Sequence, residues 1–213
     1  MNIVGLILAA GESSRMGSPK ALLNWNGKTL IEHHVEVLNK VGIFRIVVVL
    51  GAQADRIYPM VEHRNGVMCV YNQEYHLGKT TSIKAGLSTI VRTENSLHGP
   101  VQTSTGVMVL NVDQPRSERT IAAIIEGYKD SPSGASIVIP TYQGKGGHPI
   151  ILAPDVICDA LRISEDSSGL KEMKIRYSES IAFFETDMSE ILIDLNTRQD
   201  YEKALRLQEF NRD

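Results

Sequence analysis

Ile3-Val4-Gly5-Leu6-Ile7-Leu8-Ala9-Ala10 runs directly into Gly11-Glu12-Ser13-Ser14-Arg15-Met16-Gly17-Ser18-Pro19-Lys20. An apolar run of about eight residues bounded by glycine has strand length, and its lack of a polar face predicts a central strand covered by helices on both sides. In open α/β sheets, ligands sit just beyond the carboxyl ends of such strands. The loop fits an anion there. Gly11 and Gly17 permit close backbone approach, while Ser13, Ser14, Arg15 and Lys20 supply donors suited to phosphate oxygens. Two cations on one short loop repel each other unless an anion lies between them, so the pattern predicts a phosphorylated ligand.

The remaining chain alternates strand and helix signals. Thr29-Leu30-Ile31-Glu32 is a capping box, followed by a stripe of Leu30, Ile31, His34, Val35, Leu38 and Val41 and a stop at Gly42. Strands are predicted over 45–50, 67–71, 107–112, 135–140, 181–184 and 190–193. Helices are predicted over 55–61, 80–91, 117–129, 154–162 and 169–177, and after Thr197. The stretch 93–105, with Gly99-Pro100, reads as a surface loop. A glycine-rich excursion over 142–147 returns at Pro149-Ile150-Ile151-Leu152 and predicts a β-hairpin. Repeated alternation implies a doubly wound, mainly parallel α/β sheet, with the hairpin as a small extension on the substrate side.

With 213 residues, 42% of them hydrophobic, the chain can fill the core of one domain over 1–213. A net charge of −3 carries no polycationic footprint, which argues against nucleic acid as a partner. Cys69 and Cys158 lie far apart without C-x-x-C spacing and are expected to be buried free thiols. No apolar run approaches the roughly 20 residues of a membrane span, and no basic leader precedes the first strand, so the expectation is a cytoplasmic protein without a membrane partner.

Asp113-Gln114-Pro115 ends the apolar 107–112 run, on the same rim as the Gly11 loop. A carboxylate beside a polyphosphate suits Mg2+, which is commonly held by one or two carboxylates plus substrate phosphates; the alternative is a helix-capping Asp before Ser117. Gly78-Lys79-Thr80-Thr81-Ser82 contains the end of a Walker A pattern, but Gln73 stands where its first glycine is needed. Gly78 instead opens a helix, where backbone N–H groups face a base or phosphate. His33-His34 lacks metal-site spacing, and no hydrolase elbow or dinucleotide fingerprint is present.

Leu8-Ala9-Ala10-Gly11, Ser13, Arg15-Met16-Gly17 and Lys20 together resemble the opening motif of the MobA-like nucleotidyltransferases, especially the molybdenum cofactor cytidylyltransferase branch. The resemblance implies a Rossmann-like nucleotidyltransferase fold. Asp113-Gln114-Pro115 is similar to the family's metal-binding D-x-P element. Asp194-Leu195-Asn196-Thr197 resembles its closing motif, which makes Asn196 the second metal ligand, with Asp194 the alternate and Asp200 a first-turn acid of the last helix. Gly78 and Ser82 align with the G-M-x-x-S-L element, Lys79 replacing its methionine. Gly147-His148-Pro149 resembles a G-H-P that faces the acceptor, and Glu165 to Lys171 keeps only an acid, a glycine and a base of the element expected next.

What the resemblance implies is nucleotidyl transfer with Mg2+ as cofactor. Leu8, Ala9, Ala10, Gly11, Ser13, Gly17, Gly78 and Ser82 would bind the nucleotide; Arg15 would take the β- and γ-phosphates, Lys20 the α-phosphate, and Asp113 and Asn196 the metal. His148 would touch the acceptor. The Ala9-Ala10-Gly11 form points to CTP, and the branch to molybdopterin as the phosphorylated acceptor, with a molybdoenzyme or its chaperone as partner. Transfer to a sugar or alcohol phosphate, with CTP or GTP as donor, and a non-catalytic cofactor-binding chaperone are the alternatives.

Overall fold

A computed structural model describes residues 2–13, 16–98, 105–163 and 169–210. In chain order the elements are β1 (Asn2–Ala9), the small pair β2 (Asn24–Trp25) and β3 (Lys28–Thr29), α1 (Leu30–Lys40), β4 (Ile46–Leu50), α2 (Ala54–Ile57), β5 (Val67–Tyr71) and α3 (Lys79–His98). There follow β6 (Thr105–Asn111), α4 (Glu118–Lys129), β7 (Ile137–Tyr142), β8 (Lys145–Gly146), β9 (Ile150–Leu152), α5 (Ile157–Ala160), α6 (Leu170–Arg176), β10 (Ile181–Glu185) and α7 (Arg198–Phe210).

The main sheet has the order β10-β7-β9-β6-β1-β4-β5, with β8 paired to β7. β1 lies parallel between β4 and β6, and only β9 and β8 run antiparallel to their neighbours. The alternation of side chains along β1 explains its apolar sequence. Ile7 and Ala9 join a core with Leu30, Ile31 and Leu38 of α1, Ile121 and Ile124 of α4 and Ala204 of α7. Val4, Leu6 and Leu8 face the other core, with Ile83 and Leu87 of α3, Ile157 of α5 and Met173 of α6. Both faces are therefore covered, as a two-sided apolar strand requires.

Local signals act as read. Thr29 and Glu32 form the reciprocal capping box, and Gly42 takes a φ of +85° just past α1. Ser117 caps α4 by accepting from the Thr120 N–H at 3.2 Å. The predicted hairpin forms, and its returning strand β9 is built into the sheet between β6 and β7.

Two expectations fail. The segment predicted as a strand over 190–193 is a 3-10 turn, Ser189–Leu192. Its alternating Ile191 and Ile193 mimic strand periodicity, but their carbonyls accept from the Arg116 guanidinium instead of a neighbouring strand. The helix expected to end at 91 continues to His98, so 93–98 is not loop; residues 99–104 lie outside the described residues. Its polar tail is satisfied within the helix, as Thr93 Oγ1 donates to Thr89 O and Ser96 Oγ to Arg92 O, each at 2.9 Å. Glu94 is buried against Arg45 and accepts from Thr105 Oγ1 at 3.0 Å.

The thiols also divide. Cys69 is half-buried, which pushes its pKa up to about 11, whereas Cys158 is exposed because Ile157 and Ala160 take the inward face of short α5. Among the described residues, no helix is long and apolar enough to cross a membrane.

Candidate active site

The strand order reverses at β1: the chain steps outward through β4 and β5 on one side, then returns to place β6 on the other. A crevice opens beyond the carboxyl ends of strands at such a switch point. There lies a cleft of about 420 Å3, lined by Leu8, Ala9, Ala10, Gly11 and Ser13 after β1, by Asn111, Val112 and Asp113 after β6, and by Gly78 and Ser82 at the start of α3. Lys20 lines it as well, as do Glu12 and Lys79. Gly51 shapes this wall, since a Cβ there would come within 2.7 Å of Ala10 O. A Cβ on Gly11 would meet nothing within 4 Å, so no packing within the protein requires that glycine.

The loop folds back on itself. Ser13, at φ +53°, accepts from the Lys20 N–H through Oγ at 3.0 Å and from the Met16 N–H through its carbonyl at 2.9 Å. This turn aims the Lys20 ammonium at Asp113 Oδ2, 2.7 Å away, and Asn196 Oδ1, 3.1 Å away. Residues from three distant parts of the chain thus meet at one point. Asp194, the alternate, is exposed, and its backbone carbonyl accepts from the Asn196 N–H at 3.1 Å. Thr197 fixes where α7 begins by accepting from the Asp200 N–H at 3.2 Å, while its own N–H donates to Asp200 Oδ2 at 2.8 Å. The Thr197 hydroxyl, which donates to Asp200 Oδ2 at 2.8 Å, together with the Thr197 N–H, holds the Asp200 carboxyl below its usual range.

Asp113 stands on a loop whose carbonyls are bound one by one. Val112 O accepts from His34 Nε2 at 3.1 Å, Asp113 O from Leu195 N at 2.9 Å, Pro115 O from Arg116 Nη1 at 2.8 Å and Arg116 O from His33 Nε2 at 2.9 Å. Each Nε2 faces a carbonyl, so both imidazoles donate through that nitrogen. Burial drives the His34 pKa down to about 3 and also lowers His33. Arg116 is fully buried and reaches Ile191 O, Ile193 O and His148 O. Burial lowers its pKa to about 10, leaving it charged at neutral pH.

Sequence reading missed Arg116, His33 and His34. Their partners are carbonyls, which carry no residue-type signature, and most lie tens of residues away. On the opposite wall, Asn72 Nδ2 donates to Ser82 Oγ at 3.0 Å and to Thr81 Oγ1 at 2.9 Å. Gly78 holds a φ of +117° at the entry to α3, a conformation that suits glycine. His148 does not line the cleft. It is largely buried, its pKa is driven down to about 4 by burial and by the charges of Lys79, Lys174 and Arg116, and its Nδ1 has no hydrogen-bond partner among the described residues. Ser14, Arg15 and residues 164–168 lie outside the described residues.

The donor set fits a hard divalent cation. A carboxylate oxygen and a carboxamide oxygen already converge on one positive charge, the Lys20 ammonium, and both are oxygen ligands of the type magnesium takes. Among the described residues, no group of three His, Cys, Asp or Glu side chains offers a complete protein cage.

A doubly wound sheet with a glycine- and serine-bearing loop facing an oxygen pair across its switch point defines a class, the open α/β proteins whose ligands sit at that rim. More narrowly, the family model of the MobA-like NTP transferase domain matches residues 5–180, and the chain belongs to that family. It is thus a nucleotidyltransferase. It is 24% identical over 198 residues to the molybdenum cofactor cytidylyltransferase of Escherichia coli (strain K12), covering 92% of each. It is 28% identical over 156 residues to the nicotine blue oxidoreductase of Paenarthrobacter nicotinovorans, covering 70% of each. Among solved structures, a nucleotidyl transferase from Methanothermobacter thermautotroptrophicus superposes with a TM-score of 0.76 at 21% identity, over 97% of both chains. Rv0371C from Mycobacterium tuberculosis in complex with manganese gives 0.70 at 20% identity, over 97% of this chain and 99% of that one. These structural likenesses establish the fold.

Proposed function

We propose that this chain, as one domain over 1–213, transfers CMP from CTP to the phosphate of a molybdopterin-type acceptor and releases pyrophosphate, with magnesium as cofactor. The observation that carries the reading is the convergence of Lys20 Nζ, Asp113 Oδ2 and Asn196 Oδ1 at the rim shared by β1 and β6. The similarity to a molybdenum cofactor cytidylyltransferase supports the acceptor, and the Ala9-Ala10-Gly11 form of the loop supports CTP.

In this reaction an acceptor phosphate oxygen attacks the α-phosphorus, a new P–O–P bridge forms, and the bond from the α-phosphorus to the β-phosphate oxygen breaks. A phosphate monoester with a second pKa near 6 is largely ionised at neutral pH, so no side chain need remove a proton. The protein's work is positioning and charge neutralisation. Lys20 meets the α-phosphate, Arg15 the outer phosphates, and Gly11, Gly17, Ser13 and Gly78 line the nucleotide's path with close backbone and polar donors. Asp113 and Asn196 would hold magnesium, which when bound supplies positive charge to the phosphates. His148 helps to shape the acceptor side through its carbonyl bond to Arg116.

Pyrophosphate release tests the reading. CTP, Mg2+ and a phosphorylated pterin should together give release that is absent without the acceptor. Release with a sugar phosphate instead would move the acceptor assignment, and nucleotide binding without release from any acceptor would reject turnover in favour of a cofactor-binding protein.

A further inference from the structure

Four buried side-chain polar atoms have no hydrogen-bond partner among the described residues: Trp25 Nε1, Asn39 Oδ1, Asn111 Oδ1 and His148 Nδ1. Of the four residues, only Asn111 lines the cleft. It is the last residue of β6, it pairs in register with Leu8, and it is 8% exposed. Its Nδ2 donates to Gln114 Oε1 at 2.7 Å, which turns Oδ1 away from every donor among the described residues. A buried acceptor without a donor is costly, and natural proteins rarely keep one unless something else satisfies it.

The opposite wall supplies the complement. Ser82 Oγ accepts from Asn72 Nδ2, so its own proton remains to be given away. Among its polar lining groups the cleft therefore presents an unpaired acceptor on β6 and a hydroxyl donor on α3, beside the Leu8-Ala9-Ala10 strand end.

We propose that Asn111 Oδ1 is a specificity-determining contact that accepts a hydrogen bond from an N–H or O–H of the nucleoside half of the bound nucleotide. Two groups carry that chemistry, the exocyclic amine of the base and the ribose 2′-hydroxyl. Asn111 pairs with Leu8, upstream of the Gly11 loop whose donors are assigned to the phosphates, and this is the reason for assigning it to the nucleoside half. This inference rests on the nucleotide reading and adds to it a residue that the sequence motifs do not mark.

Calorimetric titration of CTP, UTP and 2′-deoxy-CTP into the wild-type protein and into Asn111→Leu separates the cases. Leu keeps the approximate shape and removes the acceptor, and Asn111→Ala serves if the leucine variant does not fold. The expected result is CTP binding weakened about tenfold, with one analogue bound equally by both proteins. If that analogue is UTP, the donor is the base amine; if it is 2′-deoxy-CTP, the donor is the 2′-hydroxyl. Equal weakening of all three, or of none, overturns the assignment. Binding of GTP in place of CTP would correct the base, and the comparison then uses GTP, inosine triphosphate and 2′-deoxy-GTP with the same criteria. A wild-type protein that binds no nucleotide overturns the nucleotide reading and this contact with it, whereas intact CTP binding with an indifferent Asn111 overturns the contact alone.

Discussion

The two loops that face each other across the cleft are held in different ways. Among its described residues, the loop after β1 ties back on itself through Ser13, which accepts from Lys20 and Met16. The loop after β6 is tied to the rest of the molecule, its carbonyls at Val112, Asp113, Pro115 and Arg116 accepting from α1, from the segment before α7 and from a buried guanidinium. A phosphate cradle needs short spacing and small residues, which one stretch of chain can supply. A pair of oxygen ligands needs a fixed separation between residues 113 and 196, which only long-range contacts can set.

The largest effects should come from the point where the loops meet. Asp113→Ala and Lys20→Ala should each lower turnover by about 10²- to 10³-fold in a pyrophosphate-release assay, with Lys20→Ala changing CTP affinity much less. A Lys20→Ala enzyme with wild-type turnover would break the pairing of the loops.

Next comes the tie that holds the second loop. Arg116→Met leaves the carbonyls of Pro115, Ile191, Ile193 and His148 without their buried donor and should cost about 3 kcal/mol by urea denaturation. In the folded fraction the Mg2+ concentration for half-maximal activity should rise, because Asp113 and Asn196 lose their common anchor. An unchanged Mg2+ requirement would show that the Asp113 O to Leu195 N bond alone sets the spacing.

Acid should act through the same scaffold. His34 and His148 have folded-state pKa values driven down to about 3 and about 4, against about 6.5 when unfolded, and His33 is lowered too. The unfolded chain then binds more protons below pH 6.5, so stability is full above that pH and falls as pH drops toward 4, by up to about 1.4 kcal/mol per pH unit per histidine. His34→Gln retains a donor for Val112 O and removes one titrating group. Its stability should decline less steeply between pH 6.5 and 4, and an unaltered slope would remove His34 from the account.

The smallest change lies away from both loops. Thr29→Ala removes the α1 cap and should cost about 1 kcal/mol with turnover unchanged. Lost turnover would mean that α1, through His33 and His34, positions the second loop more delicately than its hydrogen bonds indicate.

This contrast also separates what sequence could say from what it could not. The first strand, the α1 cap, β5 at 67–71 and the helix from Ser117 follow from local pattern, because each is decided by neighbours in the chain. Lys20, Asp113 and Asn196 were legible as residue types in motifs, although only the fold shows that they touch. Asn111 read as one more residue of an apolar strand, Arg116 as a polar residue after a proline, and His33 and His34 as ordinary members of a helix. Their significance comes from partners that are carbonyls or, for Asn111 Oδ1, from having no donor among the described residues. The turn at Ser189–Leu192 misled for the same reason, since a distant guanidinium determines where its carbonyls point.

Thermal unfolding with CTP, GTP, ATP and UTP, each with and without Mg2+, tests the central claim most directly. A ligand at 100 times its dissociation constant adds about 2.7 kcal/mol, a rise of roughly 5 to 11 °C at about 2 to 4 °C per kcal/mol for a chain of this size. The proposed function predicts a Mg2+-dependent rise selective for CTP that disappears in Asp113→Ala; no rise with any nucleotide, or a rise indifferent to Asp113, would contradict it.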